Sequence, residues 1–135
     1  MNNGKMASCI TSLQASAPGR FTGRGVLIAV IDSGIAYWHP DFRNEDGSTR
    51  IRAIWDQTIT PDAGKGWLPP EGYIDGVLFD EETINRALGV ADMRAICPSM
   101  DSSGHGTHVA GIAAGNGRAS DGRYRGVAYE ARFLL

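Results

Sequence analysis

The chain has 135 residues, 42% hydrophobic and 21% charged, a balance that suits one ordinary globular domain and excludes a disordered or fibrous segment. Its 13 Lys and Arg against 15 Asp and Glu leave a formal net charge of −2, which gives no field suited to nucleic acid. Two cysteines, Cys9 and Cys97, make no disulfide framework, and no apolar stretch approaches transmembrane length.

Residues 1–20 are polar and small, with Pro18-Gly19 as a breaker, and read as an irregular N-terminal arm. The apolar run of a secretory signal is missing after Lys5, so localisation stays undecided. Phe21 to Gly25 is a glycine-rich turn that precedes a strand, the reverse of a dinucleotide fingerprint. Val26-Leu27-Ile28-Ala29-Val30-Ile31 is continuously apolar and rich in β-branched residues. It predicts a strand buried on both faces of a parallel sheet, with Asp32 at its carboxyl tip. Pro40 biases His39 toward extended geometry, and Asn44 to Ser48 is a turn.

Arg50 to Trp55 predicts a strand with Ile51, Ala53 and Trp55 on one face. Residues 56–70 form a Gly/Pro-rich loop, and Asp75-Gly76 between apolar flanks signals a hairpin or tight turn. Asp80 reads as a helix N-cap followed by Glu81 and Glu82 in the first turn, with Ile84, Ala87 and Leu88 on one face and Gly89 as the stop. Residues from Cys97 to Ser103 lead into a second helix. From His105 to Gly117 no residue is charged, which predicts a helix buried all round. Gly106 and Gly111 within it suggest close approach of another backbone. Asn116 to Gly126 is a polar loop whose Arg118, Arg123 and Arg125 read as a solvated face. Residues 132–135 form an apolar run that reads as a strand.

Two features stand out: a carboxylate at a strand tip, where chemistry gathers in α/β sheets, and a titratable imidazole at the mouth of an apolar helix. Taken alone, each has a bland explanation, Asp32 as a turn residue and His105 as a satisfied core histidine. The spacing of His105 and His108, with Cys97 upstream, also leaves a metal-binding reading open.

Together, Val30-Ile31-Asp32-Ser33-Gly34, His39-Pro40-Asp41 and Gly104-His105-Gly106-Thr107-His108-Val109-Ala110-Gly111 resemble the subtilisin-like serine proteases, the subtilases. The order Asp then His agrees with the family's Asp-His-Ser triad. With Trp55-Asp56-Gln57 and Pro69-Pro70-Glu71-Gly72-Tyr73, the chain looks most like clostridial-type subtilases, which include germination proteases of spores. The resemblance implies an α/β fold with a largely parallel sheet and flanking helices. It implies that residues 21–135 are the front part of a subtilase catalytic domain, with an insertion at about 51–95 that either shapes substrate access or decorates the surface.

By the same resemblance Asp32 and His105 are catalytic, His108 and His39 are structural, and the substrate is a protein or peptide. No cofactor is needed for the chemistry. In the family the acid of His-Pro-Asp can ligate a structural Ca²⁺, so Asp41 is a candidate metal ligand, or else a turn carboxylate. None of the serines follows Gly-Thr, the family's setting for the nucleophile, and Tyr129 stands where the family has a proline. The chain alone is therefore expected to be inactive and part of a longer serine endopeptidase. A non-catalytic relative acting as a binding or regulatory protein is the alternative. Neither nucleic acid nor membrane is implied as a partner, and oligomeric state is not fixed.

Overall fold

The computed structural model describes residues 2–15 and 21–135. Two short helices, α1 (Asn2–Ala7) and α2 (Ile10–Ala15), come first. The irregular arm expected there is thus largely helical over its described part, while Pro18-Gly19 lies outside the described residues. Lys5 Nζ donates to the Arg125 carbonyl at 3.3 Å and Gln14 Nε2 to the Val127 carbonyl at 2.5 Å. The arm takes its place from these anchors on the late loop, which its own composition does not announce.

Four strands form one sheet in the order β1-β4-β2-β3: β1 (Leu27–Ala29), β2 (Ile51–Asp56), β3 (Val77–Asp80) and β4 (Arg132–Leu134). The β1/β4 and β4/β2 pairs are parallel, with Ile28 and Ile51 both registered on Phe133; β2/β3 is antiparallel, with Ile54 opposite Phe79. Because β1, β4 and β2 point the same way, their carboxyl ends share one edge, and Asp32 and Asp56 lie along it. Parallel neighbours need crossovers, and α4 (His105–Ala114) lies in the crossover that leads to β4.

The core centres on Phe133, whose ring meets Phe42 edge-on at 5.3 Å, with Ile35, Tyr37, Ile51, Ile54, Val77 and Phe79 buried around it. The Arg50 guanidinium lies 5.2 Å from the Phe133 ring centroid. It donates to three carbonyls, of Asp41 at 2.7 Å, Tyr129 at 2.9 Å and Ala131 at 2.5 Å. Burial pushes its pKa down to about 10, which still leaves it charged at neutral pH. A buried cation must be hydrogen-bonded to be tolerated, and here carbonyls take that role.

Several expectations need correction. The strand at 26–31 is regular only over Leu27–Ala29 and is not buried on both faces: Leu27 is 53% and Ile31 98% exposed. β1 is an edge strand, and no described element covers its second face. The inward residues of β2 are Ile51 and Ile54, because the pairing with β4 shifts register between Ile51 and Ala53 and breaks the period of two. Asp75-Gly76 is a tight bend, with Gly76 at φ +70°, but not a two-residue hairpin turn between β2 and β3. It feeds β3, whose partner β2 ends some twenty residues earlier, and Trp55 Nε1 donates to the Asp75 carbonyl to hold that return.

Residues 51–95 supply β2, β3 and α3 (Glu81–Leu88), so much of this segment is built into the sheet and core. Helix α3 forms as its sequence predicts. The Asp80 side chain accepts from Thr83 N, Ile84 and Ala87 are buried, and Gly89 is the C-cap. Helix α4 departs from expectation: only the stripe Gly106, Ala110 and Ala114 is buried, and Ile112 is 40% exposed. Among the described residues no helix is long and apolar enough to cross a membrane.

Candidate active site

The site forms where the turn after β1 meets the first turn of α4. Gly34 has φ +122°, and a Cβ there would sit 2.6 Å from the Met100 carbonyl oxygen. A Cβ on Gly106 would collide with the Gly34 carbonyl oxygen and lie 3.2 Å from the Asp32 Cβ. Two segments distant in sequence thus touch backbone to backbone, which only glycine permits. Gly111, by contrast, has nothing within 4 Å of the place a Cβ would take, so the crowding expected there is absent among the described residues. Thr107 Oγ1 accepts from Ala36 N at 2.9 Å and adds a further tie. The Ser99 hydroxyl, donating to Asp56 Oδ2 at 2.6 Å, fixes the incoming segment to the end of β2.

This junction brings Asp32 and His105 together. The His105 Nδ1 lies 2.7 Å from Asp32 Oδ1 and 2.8 Å from Oδ2. The Asp32 side chain is 17% exposed and that of His105 68%, so the acid is shielded while the imidazole opens to solvent. In the neutral tautomer whose Nδ1–H donates to the carboxylate, Nε2 is the unprotonated nitrogen, and it has no hydrogen-bond partner among the described residues. The hydrogen bond to His105, followed by that from Ser33 N at 2.7 Å, holds the Asp32 pKa below the ordinary carboxylate value. The same bond to Asp32, then its charge, raises the His105 pKa. A helix N-terminus by itself disfavours an imidazolium; here the adjacent carboxylate outweighs it.

Asp101 is the residue that sequence reasoning missed. Its Oδ1 accepts from Gly104 N at 2.8 Å, Ser103 N at 3.2 Å and the Ser33 hydroxyl at 2.8 Å, and its Oδ2 from Thr107 N at 2.8 Å. Desolvation works to raise its pKa, but the hydrogen bonds from Thr107, Ser33 and Gly104 prevail and hold it well below the usual range. The available signal was an Asp shortly before the helix start, the residue type that satisfies free N–H groups at a helix mouth.

The other candidates lie elsewhere. Asp41 Oδ1 accepts from Ala119 N at 2.8 Å, and the Asp41 carbonyl accepts from Asn116 N at 3.1 Å, so the residue closes the loop after α4. Among the described residues no group of three or more His, Cys, Asp or Glu is gathered. Asp41 thus stands without a cluster of acidic companions among the described residues, its carboxylate engaged by the Ala119 N–H as a turn carboxylate would be.

The metal reading of His105, His108 and Cys97 fails on the same count. Cys97 is fully buried, and burial pushes its thiol up to about 11, while both imidazoles are exposed. His39 caps the 40–42 turn, its Nδ1 accepting from Asp41 N at 3.2 Å, in the extended geometry expected before Pro40.

Comparison with known proteins agrees with this architecture. Residues 23–135 match the subtilase family. The serine protease AprX of Bacillus subtilis is 33% identical over 114 residues, covering 84% of this chain and 16% of AprX. Subtilisin-like protease SBT2.2 of Arabidopsis thaliana is 34% identical over 99 residues, covering 70% of this chain and 11% of that protein. The structure of the CspB protease of Clostridium perfringens superposes with a TM-score of 0.79 at 36% identity, over 99% of this chain and 24% of that one. The chain thus spans less than a quarter of the length of each of these relatives. The clostridial likeness read from the sequence has its counterpart in that superposition, and the α/β sheet with its parallel core is the subtilisin-like fold in part. By motif order, sheet topology and a match over nearly its whole described length, the chain belongs to the subtilase family.

Proposed function

We propose that this chain contributes the acid and base of a serine-type endopeptidase, with His105 as general base and Asp32 as the group that orients and stabilises it. The observation that carries this reading is the two-oxygen contact of Asp32 with His105 Nδ1, which leaves Nε2 without a partner among the described residues. A serine hydroxyl is a weak nucleophile and needs such a base. The nucleophile comes from outside these 135 residues, since no serine here follows Gly-Thr.

In the first step Nε2 takes the hydroxyl proton as the serine oxygen bonds to the substrate carbonyl carbon. The imidazolium then gives that proton to the leaving amine, the peptide C–N bond breaks, and an acyl-enzyme remains. Water repeats the sequence and releases the acid. Asp32 stays ionised throughout. The couple is laid out as a general base requires, with the carboxylate on Nδ1 and Nε2 unengaged, which favours the catalytic reading over a purely binding relative.

The test uses the full-length protein with a chromogenic peptide and a serine-directed fluorophosphonate label. Asp32→Asn is expected to lower kcat/KM by about 10⁴-fold and His105→Ala by about 10⁶-fold, the scales known for Ser-His-Asp enzymes. A wild-type protein that neither cleaves nor labels, or variants that turn over normally, would sink the reading.

A further inference from the structure

We propose that Asp101 is a positioning residue: it engages the proton of the Ser33 hydroxyl and so keeps the Asp32 carboxylate free to serve His105. This rests on the reading of Asp32 and His105 as a catalytic couple and goes one layer behind it.

The Ser33 hydroxyl has one proton and two carboxylates within reach, Asp101 Oδ1 at 2.8 Å and Asp32 Oδ1 at 3.2 Å. Its lone pairs are occupied. Gly106 N donates to it at 3.1 Å and the Ser103 hydroxyl at 2.8 Å. Ser103 in turn accepts from His105 N at 3.1 Å and is 3.5 Å from Asp101 Oδ1. The directions are therefore ordered. The His105 backbone N–H donates to Ser103, Ser103 to Ser33, and Ser33 to Asp101. An ionised carboxylate accepts only, so Asp101 ends the chain and gives no proton back. Its other bonds come from backbone N–H groups at the mouth of α4, which fix its position.

The consequence falls on Asp32. A carboxylate that accepts an extra hydroxyl proton becomes a weaker base and pulls less on the imidazole. With Ser33 committed to Asp101, Asp32 keeps only the Ser33 N–H and His105 itself. The charged groups that face His105 are Asp32 and Asp101, with the positive end of α4 opposing both.

A double-mutant cycle on the full chain tests this, read by ¹⁵N NMR titration of the His105 imidazole, with circular dichroism as the folding control. Asp101→Asn replaces a charged acceptor with a weaker amide oxygen, so the Ser33 hydroxyl turns toward the still-ionised Asp32, and the His105 midpoint is expected to fall by about half a pH unit or more. In the Ser33→Ala background the same substitution should lower it by less than half as much, since only the through-space charge is then lost. An equal fall in both backgrounds overturns the proposal and leaves Asp101 a mere helix cap.

Should Asp101→Asn fail to fold, Ser33→Ala decides alone. A midpoint unchanged within about 0.2 pH unit supports the assignment, whereas a rise shows that Ser33 was donating to Asp32 and overturns it. The underlying reading fails separately, if Asp32→Asn leaves the His105 midpoint where it was.

Discussion

The junction of β1 with α4 and the core around Phe133 are held by opposite means. At the junction the His105 ring is open to solvent beside a shielded Asp32, and order comes from glycine contacts and hydrogen bonds to two ionised carboxylates. Around Phe133 the side chains are fully buried, and order comes from apolar packing with one guanidinium spread over three carbonyls. Precision at the junction is therefore electrostatic and steric, and contributes little buried area. The core stabilises the sheet but aligns no reacting group. Changes in the two regions should separate cleanly, the first acting on catalysis and the second on folding.

The largest expected effect sharpens that contrast. On the proposed reading, His105→Ala in the full-length protein should lose about 10⁶-fold in kcat/KM while its thermal midpoint stays near that of the parent, as turnover and differential scanning measured side by side will show. Phe133→Ala reverses the pattern, costing about 3–5 kcal/mol of stability by urea denaturation with no direct effect on the couple. Gly106→Ala is the change that breaks the separation. A methyl there strikes the Gly34 carbonyl oxygen, so the junction must open. A stability loss of about 1–3 kcal/mol should come with lost turnover in one variant. Wild-type activity in Gly106→Ala would show that the close approach is not what aligns the pair.

Acidity gives a subtler test. The folded pKa of His105 is raised and that of Asp32 lowered. The His105 share of stability is full below about pH 6.5, its unfolded value, and is lost as pH rises through the folded value. The Asp32 share is full above about pH 3.9 and is lost as pH falls through its depressed value. The thermal midpoint difference between the parent and Asp32→Asn should therefore be widest between about pH 4 and 6.5. Because the base must be neutral to act, the acid limb of the rate profile should lie above the ordinary histidine value and move down in Asp32→Asn. The smallest effect belongs to neither region: Asp80→Ala removes the cap of α3 and should cost about 1 kcal/mol, with activity intact.

Much of the site was legible before the structure. The strand tip carrying Asp32, the helix mouth carrying His105, and the α3 cap with its acidic first turn are local patterns, and local patterns survive in the sequence. Asp101 was not legible as a site residue, because its partners Ser33 and Thr107 are brought to it only when the chain folds back. The faces of β2 were misread because a register shift between Ile51 and Ala53 interrupts alternation, and such shifts leave no mark on a single strand.

What the amino-acid order determined by itself was residue chemistry and short-range geometry: which segments extend, which coil, where a carboxylate and an imidazole stand relative to their own elements. Burial, pairing and proton ownership were decided by tertiary structure alone. β1 is an edge strand, α4 buries one stripe instead of all its sides, and the Ser33 hydroxyl lies closer to Asp101 than to Asp32 by a few tenths of an ångström. The physical reason is that solvent exposure and hydrogen-bond competition depend on what arrives from distant parts of the chain, and no periodicity within one element encodes its neighbours.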